Sequence, residues 1–288
     1  MSHCQPDPCW HQLCLTAQCD TDSSSCTNER QVAVLFRGNP LPCLHLNLLG
    51  GMSASIDGRS LPALDGTKAG LLLVRLLLEQ GDQIARSALA AMFWPNLSPA
   101  AARSNLRQHL FQINRQLDAC NGDFIDATPE HVRFNHTADV VVDVHTLLQA
   151  RDDPASIADA LACYRGPFLA GIDDRIPSGE ILQWVLDRRG FYWRQAVDRL
   201  ERMASALRGA DRGGEALPYI ERFLQLDPLD ETLHRLKLAT LLDEGLADAA
   251  RRQYEQCRDI LEAELGVAPG AATEALRATA EDMLSGAQ

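Results

Sequence analysis

The sequence predicts a mainly α-helical chain in two parts: a winged helix-turn-helix unit of α+β type, followed by an all-α stack of tetratricopeptide-like helix pairs. Three observations predict it. Between residues 44 and 136, short alternating runs bracket three helical stretches and close on a hairpin pattern. From Ser156 onward nearly every segment has helical periodicity, with breaks at Gly166-Pro167, Ile176-Pro177-Ser178-Gly179, Gly213-Gly214, Asp227-Pro228, Gly245 and Gly266. The chain has 288 residues, 46% of them hydrophobic, which at about 150 residues per domain is enough for two cores.

Residues 1–43 differ in kind from the rest. They hold six of the nine cysteines: Cys4, Cys9, Cys14, Cys19, Cys26 and Cys43. The first four recur every five residues, a spacing without the C-x-x-C knuckle of compact zinc sites, so no metal site is expected despite His3 and His11. The Ser-, Thr- and Asp-rich stretch after Cys19 has no periodic apolar face, and a disordered tail is expected. A redox or metal sensor and a start codon placed too far upstream are the alternatives. Only Val32 to Phe36 reads as a strand. The odd cysteine count, without a basic n-region and apolar h-region, favours a reducing, cytoplasmic setting.

The compact unit at residues 44–136 opens with the alternating run His45 to Leu49, then Gly50-Gly51, Ala54-Ser55-Ile56 and the turn Asp57-Gly58, a strand-turn-strand pattern. Asp65-Gly66-Thr67 supplies a turn and N-cap for a helix from Lys68 to Gln80, whose apolar residues surround the whole circumference, so it is the buried one; Gly81 ends it. Ile84 links to a helix from Arg86 to Phe93, closed by Trp94-Pro95. Ser98-Pro99 is an N-cap followed by proline at the first helical position. On the helix that follows, residues 99–118, the residues Ala102, Leu106, Leu110, Ile113 and Leu117 line one face. The opposite face carries Ser104, Arg107, Gln108, Phe111, Gln112 and Arg115, with no acid. After Asn121-Gly122, Phe124 to Ala127 and Val132 to Phe134 form a hairpin around Thr128-Pro129-Glu130. The order is that of a winged helix, whose third helix fits the major groove while the hairpin reaches the backbone.

Candidate DNA-binding residues are therefore Arg103, Ser104, Arg107, Gln108, Phe111, Gln112 and Arg115 on that helix and Arg133 in the wing. Arg103 and Arg107 suit phosphates, and Gln108 and Arg115 suit base edges. Phe111 is odd on a solvated face: either it meets a thymine methyl or it packs under the wing. The bland reading is an ordinary solvated face.

Net charge is −12, from 27 basic against 39 acidic side chains. Such a balance disfavours a protein that coats nucleic acid indiscriminately and requires any such site to be local. Residues 44–136 hold 8 basic and 8 acidic side chains, whereas residues 137–288 hold 17 and 27. The longest apolar stretch, Ala69 to Leu78, is interrupted by Arg75 and is far short of the ~20 residues of a bilayer span, so no membrane partner is expected.

In the helical remainder, a slide of 34 residues aligns Ala216 with Ala250 and Ile220 with Tyr254, the tetratricopeptide period. Trp184 and Trp193 read as packing residues, and Asp173-Asp174 and Asp243-Glu244 as solvated loop charges. No catalytic constellation is visible, and neither an enzyme nor a cofactor is expected.

Specific stretches carry a family resemblance over roughly residues 44 to 280. In the first half they are Phe93-Trp94-Pro95, Ser98 through Leu106, His109 and Ile113 through Leu117. In the second they are Val142-Asp143-Val144, Ala162 through Leu169, Leu226 through Glu231, and Gln253 through Arg258 continuing by Leu261 to Glu264 through Pro269. Together they resemble the bacterial transcriptional activators of the antibiotic regulatory protein (SARP-like) type, an OmpR-type winged helix followed by a bacterial transcriptional activator domain. The resemblance implies binding to double-stranded promoter DNA, often at direct repeats by more than one copy, with recruitment of RNA polymerase holoenzyme; a homodimer on a two-fold site is the other arrangement. The rival class is a protein-interaction module in which the acidic helical half is the working surface and the winged helix is vestigial.

Overall fold

The computed structural model describes residues 43–79, 83–117, 123–176 and 179–286. The readings made for residues 1–42, including the strand at Val32 to Phe36, and for Gly81 and Asn121-Gly122 lie outside the described residues. Residues 41–288 belong to one compact unit.

Strands Leu44–Asn47 (β1) and Ser53–Ile56 (β2) pair antiparallel, and Arg59–Ser60 (β3) adds to β2. Strand alternation buries Leu44, Leu46, Ala54 and Ile56 and leaves Asn47 and Ser53 outside, where the Asn47 amide donates to Ser53 Oγ at 3.0 Å. Thr67 caps helix Lys68–Leu77 (α1), its Oγ1 accepting from the Gly70 N–H at 3.2 Å. As expected of an all-round apolar helix, α1 is buried at every position except Lys68 and Arg75; it ends three residues earlier than expected, on Leu77.

Ile84–Ala85 (β4) leads into Arg86–Phe93 (α2), and Ser98 precedes Pro99–Leu117 (α3). Ile125–Ala127 (β5) and His131–Phe134 (β6) form the expected hairpin, tied by the His131 N–H donating to Thr128 Oγ1 at 3.0 Å. Ile84, read as a link, is a strand residue: β4 pairs antiparallel with β6, and the Arg86 N–H donates to the Glu130 carbonyl at 2.8 Å. Val140–Val142 (β7) then runs parallel to β1, with Leu46 opposite Val142, giving the sheet order β3-β2-β1-β7. Two- and three-residue strands are too short to show alternation; their partners, distant in sequence, make them strands.

The helices of the second half are Asp143–Gln149 (α4), Pro154–Cys163 (α5), Glu180–Arg208 (α6), Leu217–Leu226 (α7), Glu231–Asp243 (α8), Ala247–Leu265 (α9) and Ala271–Gly286 (α10). Among the described residues their breaks fall where the glycines and prolines predict, Pro177-Ser178 lying outside those residues, and helical structure begins at α4, earlier than Ser156. Ala216, Ala250, Ile220 and Tyr254, matched by the 34-residue slide, are all buried: Ala216 at the N-cap of α7 and Ile220 within it, Ala250 and Tyr254 on α9. Polar side chains brace this stack. Asp230 caps α8 through the Thr232 N–H at 2.9 Å and accepts from Trp193 Nε1 at 2.9 Å. The buried His234 donates from Nε2 to the Pro228 carbonyl at 2.9 Å, which makes Nδ1 an acceptor for the Gln253 amide at 2.7 Å. Three loop acids read as merely solvated are engaged: Asp173 pairs with Arg189 at 2.7 Å, Asp243 pairs with Arg208, and Glu244 accepts from the Gly214 N–H at 2.7 Å.

One seam joins the two halves. The carboxylate of Asp143, 5% exposed, accepts from the Leu48 N–H at 2.8 and 2.9 Å and from the Leu49 N–H at 2.9 Å, with Arg165 at 3.3 Å. Leu48 and Leu49 in turn accept at their carbonyls from the N–H groups of Leu169 at 2.8 Å and Arg165 at 3.2 Å. Gly50 sits at φ +99°, and a Cβ there would lie 2.7 Å from the Arg165 carbonyl carbon, so the approach requires glycine. Farther along, Arg175 donates to the Gly66 carbonyl at 2.8 Å, and Arg75 lies 5.3 Å over the ring of Trp184, with Arg188 at 5.9 Å.

Candidate nucleic-acid interface

Helix α3 owes its position to its apolar stripe. Ala102, Leu106, Leu110, Ile113 and Leu117 are all buried, packed toward α1 and α2, and each large side chain of this kind contributes about 1.5–3 kcal/mol by leaving water. Its start is fixed by Ser98, whose carbonyl accepts from the Ala102 N–H at 2.9 Å, and by Pro99 at the first helical position. Trp94, at the end of α2, is covered by the His109 ring at 5.0 Å and lies 5.6 Å from Lys68 Nζ, so α1, α2 and α3 meet at one indole. Sequence reasoning did not assign Lys68 this bracing part; Phe93-Trp94-Pro95 marked the spot without naming the partners.

With the stripe buried, the far side of α3 faces solvent. Arg103, Ser104, Arg107, Gln108, Phe111 and Arg115 are exposed and Gln112 is half-buried. Phe111 is 68% exposed, so it does not pack under the wing. The helix contains no Asp or Glu. Among the described residues, Arg103, Arg107 and Arg115 have no carboxylate partner. Seven of the eight expected residues therefore share one face, along a 19-residue helix about 28 Å long.

The eighth does not join them as a free cation. Arg133, on β6, donates from Nε to Asp126 Oδ2 at 2.9 Å across the hairpin, and Asp123 and Glu130 are exposed nearby in the sequence. An exposed pair of this kind contributes about 0–1 kcal/mol. Its main effect is to neutralise the wing's one arginine.

Chemically, the α3 face offers guanidinium donors for phosphate oxygens or guanine edges, amides that pair with adenine edges, and one apolar ring; it has no carboxylate to accept from cytosine. Among the described residues there is no group of three or more His, Cys, Asp or Glu placed to hold a metal, and no helix is long and apolar enough to cross a membrane.

A family model, bacterial transcriptional activator domain, matches residues 136–280. Transcriptional regulatory protein MoaR1 of Mycobacterium bovis (strain BCG / Pasteur 1173P2) and of Mycobacterium tuberculosis (strain ATCC 25618 / H37Rv) is in each case 24% identical over 249 residues, covering 81% of this chain and 78% of MoaR1. Among solved structures, Mycobacterium tuberculosis EmbR in complex with a low affinity phosphopeptide shares the fold, with a TM-score of 0.64 at 20% identity over 85% of this chain. This chain spans 66% of the EmbR chain.

Proposed function

The chain belongs to the bacterial transcriptional activator domain family, and from that premise we propose that this regulator binds double-stranded promoter DNA by laying α3 in the major groove. In this reading residues 44–136 contact DNA, and residues 137–288 contact RNA polymerase holoenzyme or another copy of the chain. It acts in the cytoplasm as a non-enzymatic regulator. The observation that carries the reading is the acid-free face of α3, with Arg103, Arg107 and Arg115 unpaired among the described residues. In a chain of net charge −12, such a face is the local cationic site that DNA association requires.

Genome-wide footprinting of the tagged protein supplies the bound fragments, and Arg107→Ala/Arg115→Ala tests the face. The folded double variant is expected to lose at least tenfold in affinity, and the slope of log K against log salt falls by about 2 if both side chains meet phosphates. Unchanged binding overturns the assignment.

A second reading, an interaction module with a vestigial winged helix, is favoured by one observation: Arg133 is held by Asp126 in a wing that also carries Asp123 and Glu130. In that case footprinting of the parent returns no specific fragments, and Arg107→Ala/Arg115→Ala captures the protein partner as well as the parent does.

A further inference from the structure

We infer that Phe111 is a sequence-determining residue that reads the 5-methyl group of thymine from the major-groove face of α3. The inference rests on the DNA reading above and concerns which bases are chosen.

Phe111 is the one large apolar side chain on a face of arginines, amides and serine, and it is 68% exposed. At about 100° per residue, Arg107 and Arg115 lie about 40° to either side of it, and Ser104 lies within about 20°. The ring is thus at the centre of the stripe. Arg107 and Arg115 are each one turn away, about 6 Å along the axis. Neither arginine has an acidic partner among the described residues. A DNA major groove offers phosphates or guanine edges to the two arginines and an apolar methyl to the ring between them, whereas an apolar protein patch over Phe111 would strand two guanidiniums.

Within the major groove, the apolar group that base pairs present is the thymine methyl. A phenyl ring between two phosphate- or guanine-binding arginines therefore selects thymine within about two base pairs of their contacts. With no carboxylate on the helix, cytosine is left without the acceptor that would read its amino group. The preferred strand is then rich in guanine and thymine opposite this face.

The test uses duplexes selected from a random pool by the full-length protein. Each thymine is replaced in turn by deoxyuridine, which removes the methyl group and nothing else. Dissociation constants are measured for the parent, Phe111→Ala, Phe111→Leu and Arg107→Ala/Arg115→Ala, with helicity checked by circular dichroism. At one or two positions, loss of the methyl is expected to weaken the parent about fourfold, the weight of one buried methyl group. Phe111→Ala binds the thymine duplex about as weakly as the parent binds the uracil duplex, and is indifferent to the exchange. Phe111→Leu keeps part of the discrimination.

Indifference of the parent to every exchange overturns the inference, as does a Phe111→Ala protein that still discriminates. A Phe111→Ala protein that binds and discriminates like the parent but no longer activates transcription assigns the ring to a protein partner, and likewise overturns it. The arginine variant separates the two levels. If it loses affinity while the Phe111 comparisons show no methyl effect, the DNA reading stands and this inference alone falls; if it binds as tightly as the parent, the DNA reading falls as well.

Discussion

Asp143 shows how one side chain holds two halves of a chain together. Burial pushes its carboxyl up to about 6, against the pull of the Leu49 and Leu48 N–H groups and of Arg165. A native-state value above the unfolded one means that the folded protein holds this proton more tightly. The resulting stabilisation is complete below the ordinary carboxyl range near pH 4 and is lost as pH rises through 6. In urea unfolding at pH 5 and pH 8, the stability advantage of the parent over Asp143→Asn is expected to shrink by about 1–1.5 kcal/mol at the higher pH. Asp143→Ala strands the Leu48 and Leu49 N–H groups in the interior and is expected to cost about 2–5 kcal/mol at either pH. The triplet Val142-Asp143-Val144 was legible as a family mark, but its job was not: its partners lie 94 and 95 residues earlier, and no local pattern points to them.

At the scale of elements, α3 was the most legible part of the molecule. Serine and proline mark its start, and five apolar residues mark its buried face, so its exposed face follows by subtraction. The cost of disturbing that packing is correspondingly direct: Leu106→Ala, at a site 1% exposed, is expected to lose about 2–5 kcal/mol in chemical denaturation. The wing was half legible. Its hairpin was clear from Thr128-Pro129-Glu130, but the pairing of Arg133 with Asp126 depends on cross-strand register, Asp126 opposite Arg133, which composition does not fix. Asp126→Asn removes a negative charge from the wing and releases Arg133 toward the phosphates. If the wing meets DNA, affinity for the footprinted fragments is expected to rise by a few-fold, with a salt slope steeper by about 1; an unchanged slope places the wing away from the backbone. The strands β3, β4 and β7 were not legible, because two or three residues carry no period and only a partner defines them.

For the molecule as a whole, the seam matters more than the division into halves. β7, Asp143 and the stretch from Arg165 to Leu169 all fasten onto β1 and the residues just after it. A fragment of residues 44–136 would lack each of these, exposing the edge of β1 and leaving the Leu48 and Leu49 N–H groups without their acceptor. That fragment is expected to show no cooperative thermal transition, whereas residues 41–288 unfold as a unit. Gly50→Ala probes the same seam with one atom group: a Cβ at positive φ, 2.7 Å from the Arg165 carbonyl carbon, is expected to cost at least about 1–3 kcal/mol and to lower the melting temperature of the entire transition.

The parallel pairing of β1 with β7 also sets an order of events on the ribosome. Leu48 is synthesised 95 residues before the carboxylate that receives its N–H, an interval of about 5–20 s at ordinary elongation rates. During that time the nascent β1 presents an unpaired edge, the kind of surface that holding chaperones bind and that neighbouring nascent chains on a polysome pair with. Slowing translation beyond codon 143 is therefore expected to leave this wait unchanged, and slowing it between codons 50 and 140 to lengthen it. Production of soluble protein in cells should be sensitive to rare codons in that interval and comparatively tolerant of them elsewhere.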